Sequence, residues 1–155
     1  SGPVLAGETL IAPYARGGSV TGIKLGGSGD VTKSHVLWTV EGVGADVPTP
    51  TFLGDRVFVC RDKGTVVELD RKTGEAVGEV TVEKNRNGFS ASPIRAGNLL
   101  YVTREDGTTF VLDVSGGLKV VATNELGGEF TVATPVLVDG QILLRTYEHL
   151  YCIAD

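Results

Sequence analysis

Three arginines have the spacing in this chain that most directly suggests chemistry. Arg61, Arg104 and Arg145 each follow a short apolar run, and they recur at intervals of 43 and 41 residues. A guanidinium can bind a carboxylate or phosphate through two parallel hydrogen bonds. One interpretation is therefore a ring of arginines that binds an anion or a partner. The other is structural, with each arginine paired to a neighbouring acid such as Asp62 or Glu105.

The remaining reactive side chains form no recognisable catalytic or metal-binding set. Cys60 and Cys152 lie in different segments, so we expect buried free thiols and no disulfide. His35 and His149 lack the spacing of metal ligands. No nucleophile lies in a recognisable pattern with a histidine base. The sequence predicts no catalytic residue and no metal site, and enzymatic activity is not expected.

Composition narrows the class of protein further. The 155 residues are 41% hydrophobic and 21% charged, which is enough to form a core. Fourteen basic residues against 19 acidic ones give a net charge of −5, which argues against a nucleic-acid partner. No apolar run approaches the length of a membrane span, so none is predicted. No signal peptide is predicted within these residues.

Short strands and tight turns dominate the local pattern. The 22 glycines often stand beside Asp or Asn, as in Gly54-Asp55 and Gly97-Asn98, which are turn dipeptides. Between them lie runs rich in Val, Leu, Thr and Tyr, such as residues 56–60 and 99–103. No window shows a helical period. The chain is predicted to be all-β.

The strands belong to a fourfold internal repeat. Pro3, Pro50, Pro93 and Pro135 recur at intervals of 47, 43 and 42 residues, and each opens an apolar strand that ends in a turn dipeptide. A second strand, a hairpin turn and a third strand follow in every repeat. A fourth strand follows in three of them, near residues 35–40, 76–82 and 119–123.

Four strands in each repeat of about 40–50 residues are typical of a β-propeller. We place its blades at approximately residues 1–44, 45–87, 88–130 and 131–155, which form a single propeller fragment. The last blade ends after its third strand, giving 15 strands in all. The chain is thus predicted to be half of an eight-bladed ring. Alternatively, two copies pair into one ring as a homodimer, or four blades close alone.

One repeat carries a family signature. The third strand of the second repeat ends in Leu69-Asp70-Arg71-Lys72-Thr73-Gly74-Glu75. This segment resembles the Leu-Asp-x-x-Thr-Gly mark of the pyrroloquinoline-quinone-like, or quinoprotein-type, repeat. Asp70 and Thr73 are expected to stabilise the turn, and Gly74 to supply a positive φ. Trp38, in the first repeat, is similar to the family's docking tryptophan, which packs between blades.

The resemblance also implies a range of functions. The chain is similar to bacterial extracytoplasmic propellers, such as the scaffold lipoproteins of the outer-membrane barrel-assembly machinery. It therefore implies a non-catalytic scaffold whose loops or channel mouth bind a protein or peptide, with a periplasmic or other extracytoplasmic location. The alternative is a degenerate domain that binds pyrroloquinoline quinone with calcium, or a small anion. Because the neighbouring cysteines of quinoprotein alcohol dehydrogenases are absent, no cofactor is the main expectation.

Overall fold

The computed structural model, which describes residues 1–154, confirms the all-β prediction with four antiparallel sheets that we number as blades 1 to 4. Blade 1 contains β1 (Val4–Ala6), β2 (Thr9–Tyr14), β3 (Ser19–Lys24) and β4 (Val36–Val40). Blade 2 contains β5 (Thr51–Leu53), β6 (Arg56–Cys60), β7 (Thr65–Asp70) and β8 (Ala76–Thr81). Blade 3 contains β9 (Ile94–Ala96), β10 (Leu99–Thr103), β11 (Thr109–Asp113) and β12 (Lys119–Asn124). Blade 4 contains β13 (Val136–Val138), β14 (Gln141–Arg145) and β15 (Leu150–Ile153).

Two details of this architecture differ from, or lie beyond, the sequence prediction. A four-residue helix, α1 (Thr32–His35), precedes β4, and it is too short to produce a helical hydrophobic period. The final position of the predicted fourth blade, Asp155, lies outside the described residues. In each blade the strands follow chain order from the inner strand outward, as in a meander. Residues that alternate along a strand therefore face the preceding and the following blade.

Both faces of a central blade are apolar. In β6, Val57 and Val59 point towards blade 1, whereas Phe58 and Cys60 point towards blade 3, and all four are buried. The core accordingly consists of two layers between blades rather than one central mass. The layer between blades 1 and 2 includes Ile11, Val20, Trp38, Val57, Val59, Val67 and Leu69. The layer between blades 2 and 3 includes Phe58, Val66, Phe89, Leu100, Val102, Phe110 and Leu112.

The outer faces of the first and last blades are uncovered. Leu5 and Val36 are exposed on the face of blade 1 that points away from blade 2. Val136 and Leu150 are exposed on the far face of blade 4. These faces correspond by register to those that form the core layers elsewhere, so the described blades form an open arc.

At successive junctions, two different side chains donate to equivalent backbone carbonyls. The indole nitrogen of Trp38 in blade 1 donates to the carbonyl of Arg71 in blade 2, at 2.9 Å. At the next junction Arg56 donates to the carbonyl of Val114, the residue of blade 3 that corresponds to Arg71, and also pairs with Glu68. A buried carbonyl without a donor would be costly, so each junction supplies one.

A chain of hydrogen bonds joins the starts of the innermost strands. The amide of Gly2 donates to the hydroxyl of Thr49 at 3.0 Å, that of Thr49 to Ser92 at 2.9 Å, and that of Ser92 to Thr134 at 3.0 Å. Each donor and acceptor immediately precedes the proline that opens the strand. The hydroxyl of each blade thus fixes the position of the blade before it.

The turn after β7 packs directly against Trp38, which makes Gly74 a sensitive position. Gly74 has φ +74°, and a Cβ there would lie 2.6 Å from the indole ring. We expect Gly74→Ala to lower the free energy of unfolding by about 2–4 kcal/mol, because backbone strain and overpacking add. Gly54→Ala is the control: φ is +58° but a Cβ meets nothing within 4 Å, so strain alone should cost about 1–2 kcal/mol. Equal losses in urea unfolding would contradict the packing role.

Candidate functional site

The hairpin turns between the second and third strands of the blades share one face of the arc with the connections between blades. We call this the turn face; its connections are residues 41–50, 82–93 and 125–135. The amide of Phe89 donates to the carbonyl of Asp62 in the preceding blade, and the carbonyl of Gly88 accepts from Glu105 in the following blade. Thr131 and Phe130 repeat this pattern one junction later. Each connection therefore links two neighbouring turns.

Carboxylates strengthen the same links. Asp62 accepts the amide of Asp46 through both oxygens at 3.2 Å. Glu105 occupies the corresponding place in blade 3 and accepts the Gly88 amide at 3.1 Å and the Ser90 hydroxyl at 2.6 Å. These acids, which the sequence suggested as arginine partners, instead hold the connections in place.

Arg104 is a structural residue. It is 4% exposed and its guanidinium donates to Asp106, to the Glu83 carbonyl at 2.7 Å and to the Thr108 hydroxyl at 3.2 Å. It also lies over the ring of Phe110. Burial raises the pKa of Asp106, but hydrogen bonds, that from Arg104 foremost, hold it well below the usual value. Arg104 is therefore already occupied and is not positioned to bind an external anion.

Arg61 occupies the corresponding position in blade 2 but has a different environment. Its backbone amide donates to the Thr65 carbonyl, just as the Arg104 amide donates to the Thr108 carbonyl. Within residues 1–154 its guanidinium has no hydrogen-bond or ion-pair partner. The reason is the residue two places on, which is Lys63 where blade 3 has Asp106. Arg61 is partly buried and lines a cavity of about 240 Å³.

Arg145 does not correspond to the other two arginines, and the predicted equivalence is wrong. It is the last residue of β14 and pairs with Leu150, as Cys60 pairs with Val66 in blade 2. The residue of blade 4 that follows the strand is Thr146, whose amide closes a turn one residue shorter than in blades 2 and 3. Arg61 and Arg145 line different cavities and Arg104 is bonded to its own acceptors, so the three do not form a ring around one ligand.

The signature residues of blade 2 build its outer turn. Asp70 accepts the amides of Lys72 and Thr73 at 2.8 and 2.9 Å, and the Thr73 hydroxyl at 3.1 Å. Gly74 then places the chain against Trp38, which is buried between blades 1 and 2. This turn lies on the outer part of the blade rather than on the turn face.

A polar cluster on blade 4 was not predicted from the sequence. Glu129 accepts hydrogen bonds from Thr146 and Tyr151, both at 2.6 Å, and contacts the His149 ring at 3.0 Å. Oxygen and nitrogen atoms of Glu129, Glu148 and His149 lie within 4.8 Å of one another. Both Glu129 oxygens already accept hydrogen bonds from blade 4. Anchoring the connection 125–135 to that blade is therefore enough to explain the cluster. No local spacing signals it, since its members lie about 20 residues apart.

The residues that could hold a quinone do not come together. Trp38 packs its ring against Gly22 and Gly74 and offers no face for stacking. Cys60 is buried, and its burial raises the thiol pKa to about 12. Cys152, expected to be buried, is exposed in another blade. Trp38, Cys60 and Cys152 thus supply neither a neighbouring cysteine pair nor a stacking contact.

Several exposed apolar side chains lie on the turn face. Tyr14 is 74% and Tyr147 is 82% exposed, and each lies in or beside a hairpin turn. Phe130 and Val132, in the connection to blade 4, are each 52% exposed. Phe130 and Tyr147 line the same small cavity. An uncovered group of aromatic residues is typical of a surface that contacts another protein.

Comparison with known families agrees with this geometry. The profile of the family described as outer membrane protein assembly factor BamB matches residues 1–123. The chain belongs to this family. Membership rests on most of the chain, including the signature turn and Trp38. No curated protein sequence matches the chain significantly.

Solved structures show the same fold at low sequence identity. BamB from Moraxella catarrhalis has a TM-score of 0.70 at 16% identity, over 94% of this chain and 41% of that protein. A europium-containing methanol dehydrogenase gives 0.65 at 16% identity, over 80% of this chain and 24% of that enzyme. The computationally designed Ika4 protein gives 0.75 at 15% identity, over 98% of this chain and 88% of Ika4.

The chain thus spans less than half the length of the BamB structure that it matches. Its fold is shared with BamB and with the methanol dehydrogenase. Among residues 1–154, no helix combines the length and hydropathy required to cross a membrane.

The Glu129 cluster predicts a specific acid sensitivity. Hydrogen bonds from Thr146, Tyr151 and His149 lower the pKa of Glu129 from 4.5 to about 2. Because the folded-state pKa is depressed, the stabilisation is complete above pH 4.5 and is lost as the pH falls towards 2. The unfolding midpoint of Glu129→Gln should therefore vary less with pH across this range than that of the wild type.

Glu125→Gln is the matched control, since it removes an exposed carboxylate from the same connection. It should retain the wild-type pH dependence. An unchanged slope for Glu129→Gln in thermal unfolding followed by circular dichroism would show that the cluster does not couple protonation to folding.

Proposed function

We propose that this chain is part of a non-catalytic propeller scaffold that binds a protein or peptide on its turn face. The observation that carries the proposal is the exposure of Tyr14, Phe130, Val132 and Tyr147 on that face. Phe130, Val132 and Tyr147 line one small cavity, and a contiguous exposed apolar patch often marks a site of protein contact. The BamB family, described as an assembly factor, supports a role in binding other proteins.

We favour this function over the binding of pyrroloquinoline quinone with calcium. Trp38 lies between blades and the two cysteines lie in different blades. The turn-face carboxylates of Asp62 and Glu105 already accept hydrogen bonds from the connections. The scaffold function needs none of these groups to be free.

We propose an extracytoplasmic location on the same grounds. The BamB description refers to the outer membrane, and the family likeness extends over residues 1–123. Cys60 and Cys152 lie in blades 2 and 4 and form no disulfide, so they favour neither an oxidising nor a reducing compartment.

We further propose that additional blades of a longer polypeptide cover the exposed faces of blades 1 and 4. The chain spans 41% of the BamB structure, which leaves room for them. A second copy is the less favoured occupant. In that arrangement the Thr134 amide would face Gly2 of the second copy, which has no hydroxyl to accept its hydrogen bond. A Ser or Thr at the same position of a following blade would accept the Thr134 amide and continue the series of hydrogen bonds.

Peptide selection would test the scaffold function directly. Random peptides displayed on phage are selected for binding to the chain. The site at which the recovered peptides bind is then mapped by changes in the chain's amide chemical shifts. We expect shifts at residues 130–132 and 146–147, and the double variant Phe130→Ser, Tyr147→Ser to weaken binding by about tenfold or more. The matched control removes two exposed valines from outer strands, Val77→Ser and Val121→Ser.

Two results would overturn the scaffold function. One is that the selected peptides shift amides of the outer strands, and that the control variant weakens their binding as much as the double variant does. The other is a higher unfolding midpoint with pyrroloquinoline quinone and calcium, since a ligand that binds the native state stabilises it. That second result would favour the cofactor-binding alternative.

Light scattering and small-angle X-ray scattering would test how the ring is completed. With additional blades as the natural cover, the isolated chain should have a mass near 16.2 kDa and the profile of an open arc. A mass of twice that value with the profile of a closed disc would show that a second copy completes the ring instead.

A further inference from the structure

A group of cations surrounds the hairpin turn of blade 2. Arg16 comes from the turn of blade 1, Arg61 and Lys63 from the turn of blade 2, and Lys84 from the connection to blade 3. All four line the cavity of about 240 Å³, in a chain whose net charge is −5. We call this set the basic pocket.

The acids near the basic pocket are already committed. Asp62 is buried and its carboxylate accepts the Asp46 amide and lies 3.8 Å from Arg16. Asp46 lies 3.4 Å from Arg16. Within residues 1–154 neither Arg61, Lys63 nor Lys84 has an ion-pair partner. Three of the four cations therefore remain available to an external anion.

Blade 3 shows what the same framework looks like when the arginine is structural. There Asp106 holds the Arg104 guanidinium and also accepts the Thr108 amide at 3.1 Å. Blade 2 has Lys63 in place of Asp106, while Thr65 matches Thr108. A single residue thus converts an internally neutralised turn into one with a free guanidinium and an added positive charge.

We propose that the basic pocket binds the carboxylates of an acidic segment of the protein partner. The inference rests on the proposed scaffold function and specifies the partner's chemistry. The guanidinium of Arg61 can donate two parallel hydrogen bonds to a carboxylate, while lysines attract negative charge without fixed geometry. Separate carboxylates along an extended chain can reach Arg61 and Lys84 individually. A compact phosphate would be drawn towards the same cations but would also approach the Asp62 carboxylate.

The probe is a fluorescently labelled hexaglutamate peptide, whose binding to the 155-residue chain is followed by anisotropy. We expect binding that weakens with added salt, because exposed charges are screened. Its chemical-shift changes should lie at residues 61–65 and 84. Arg61→Gln should weaken binding by about fivefold, and Arg61→Lys by less, since the charge is kept and the fork is lost.

The decisive variant is Lys63→Asp, which reproduces the acid of blade 3. Its carboxylate should pair with Arg61 and accept the Thr65 amide, so hexaglutamate binding should fall by about fivefold or more while the unfolding midpoint is kept or raised. Lys33→Asp, on the exposed helix α1, changes the net charge equally and should alter binding by less than about twofold. Comparing the two separates the pocket from overall charge.

Each remaining outcome counts against the proposal in a distinguishable way. Equal losses in Lys63→Asp and Lys33→Asp would overturn it in favour of a general charge effect. Inorganic phosphate that displaces the peptide and shifts the same amides more strongly would overturn the carboxylate assignment. If hexaglutamate does not bind but selected peptides still bind through Phe130 and Tyr147, this inference fails and the scaffold function stands.

Discussion

The constraint on which the structure depends is that a central blade is apolar on both faces. Val57 and Val59 of β6 point one way and Phe58 and Cys60 the other, and all are buried only because a blade stands on each side. No such sheet could be stable alone, since burial of apolar surface is the main favourable term in folding. Regular blade spacing, tight junctions and covered end faces are therefore requirements of the fold.

Within that constraint, each junction solves the same local problem with different residues. The carbonyl at Arg71 is satisfied by Trp38 stacked over Gly22, whereas the equivalent carbonyl at Val114 is satisfied by Arg56 held by Glu68. The two solutions fill similar space between blades but share no residue type. This explains how the family signature can be clear in one repeat and eroded in the next without loss of the fold.

The same comparison between blades separates structural from functional side chains. Arg104 and Arg61 occupy one position of the repeat, yet only Arg104 is buried among acceptors. The difference follows from Asp106 in one blade and Lys63 in the other. Where a repeat lacks the acidic residue that pairs with the arginine, the guanidinium is free to bind another molecule. The turn face, which combines such a charge with exposed Phe130 and Tyr147, is therefore the surface on which partner binding is proposed.

The sequence by itself determined the strands, the turns and the fourfold period, because these depend on contacts between residues close in the chain. The signature from Leu69 to Glu75 carried the family assignment for the same reason. Only the tertiary structure decided the environment of each charged side chain. Arg145 lies one position earlier in its repeat than Arg61 and Arg104, inside β14, where a shift of one position reverses the face. The Glu129 cluster and the basic pocket join residues about 20 or more positions apart, and their contacts depend on how blades pack rather than on any local pattern.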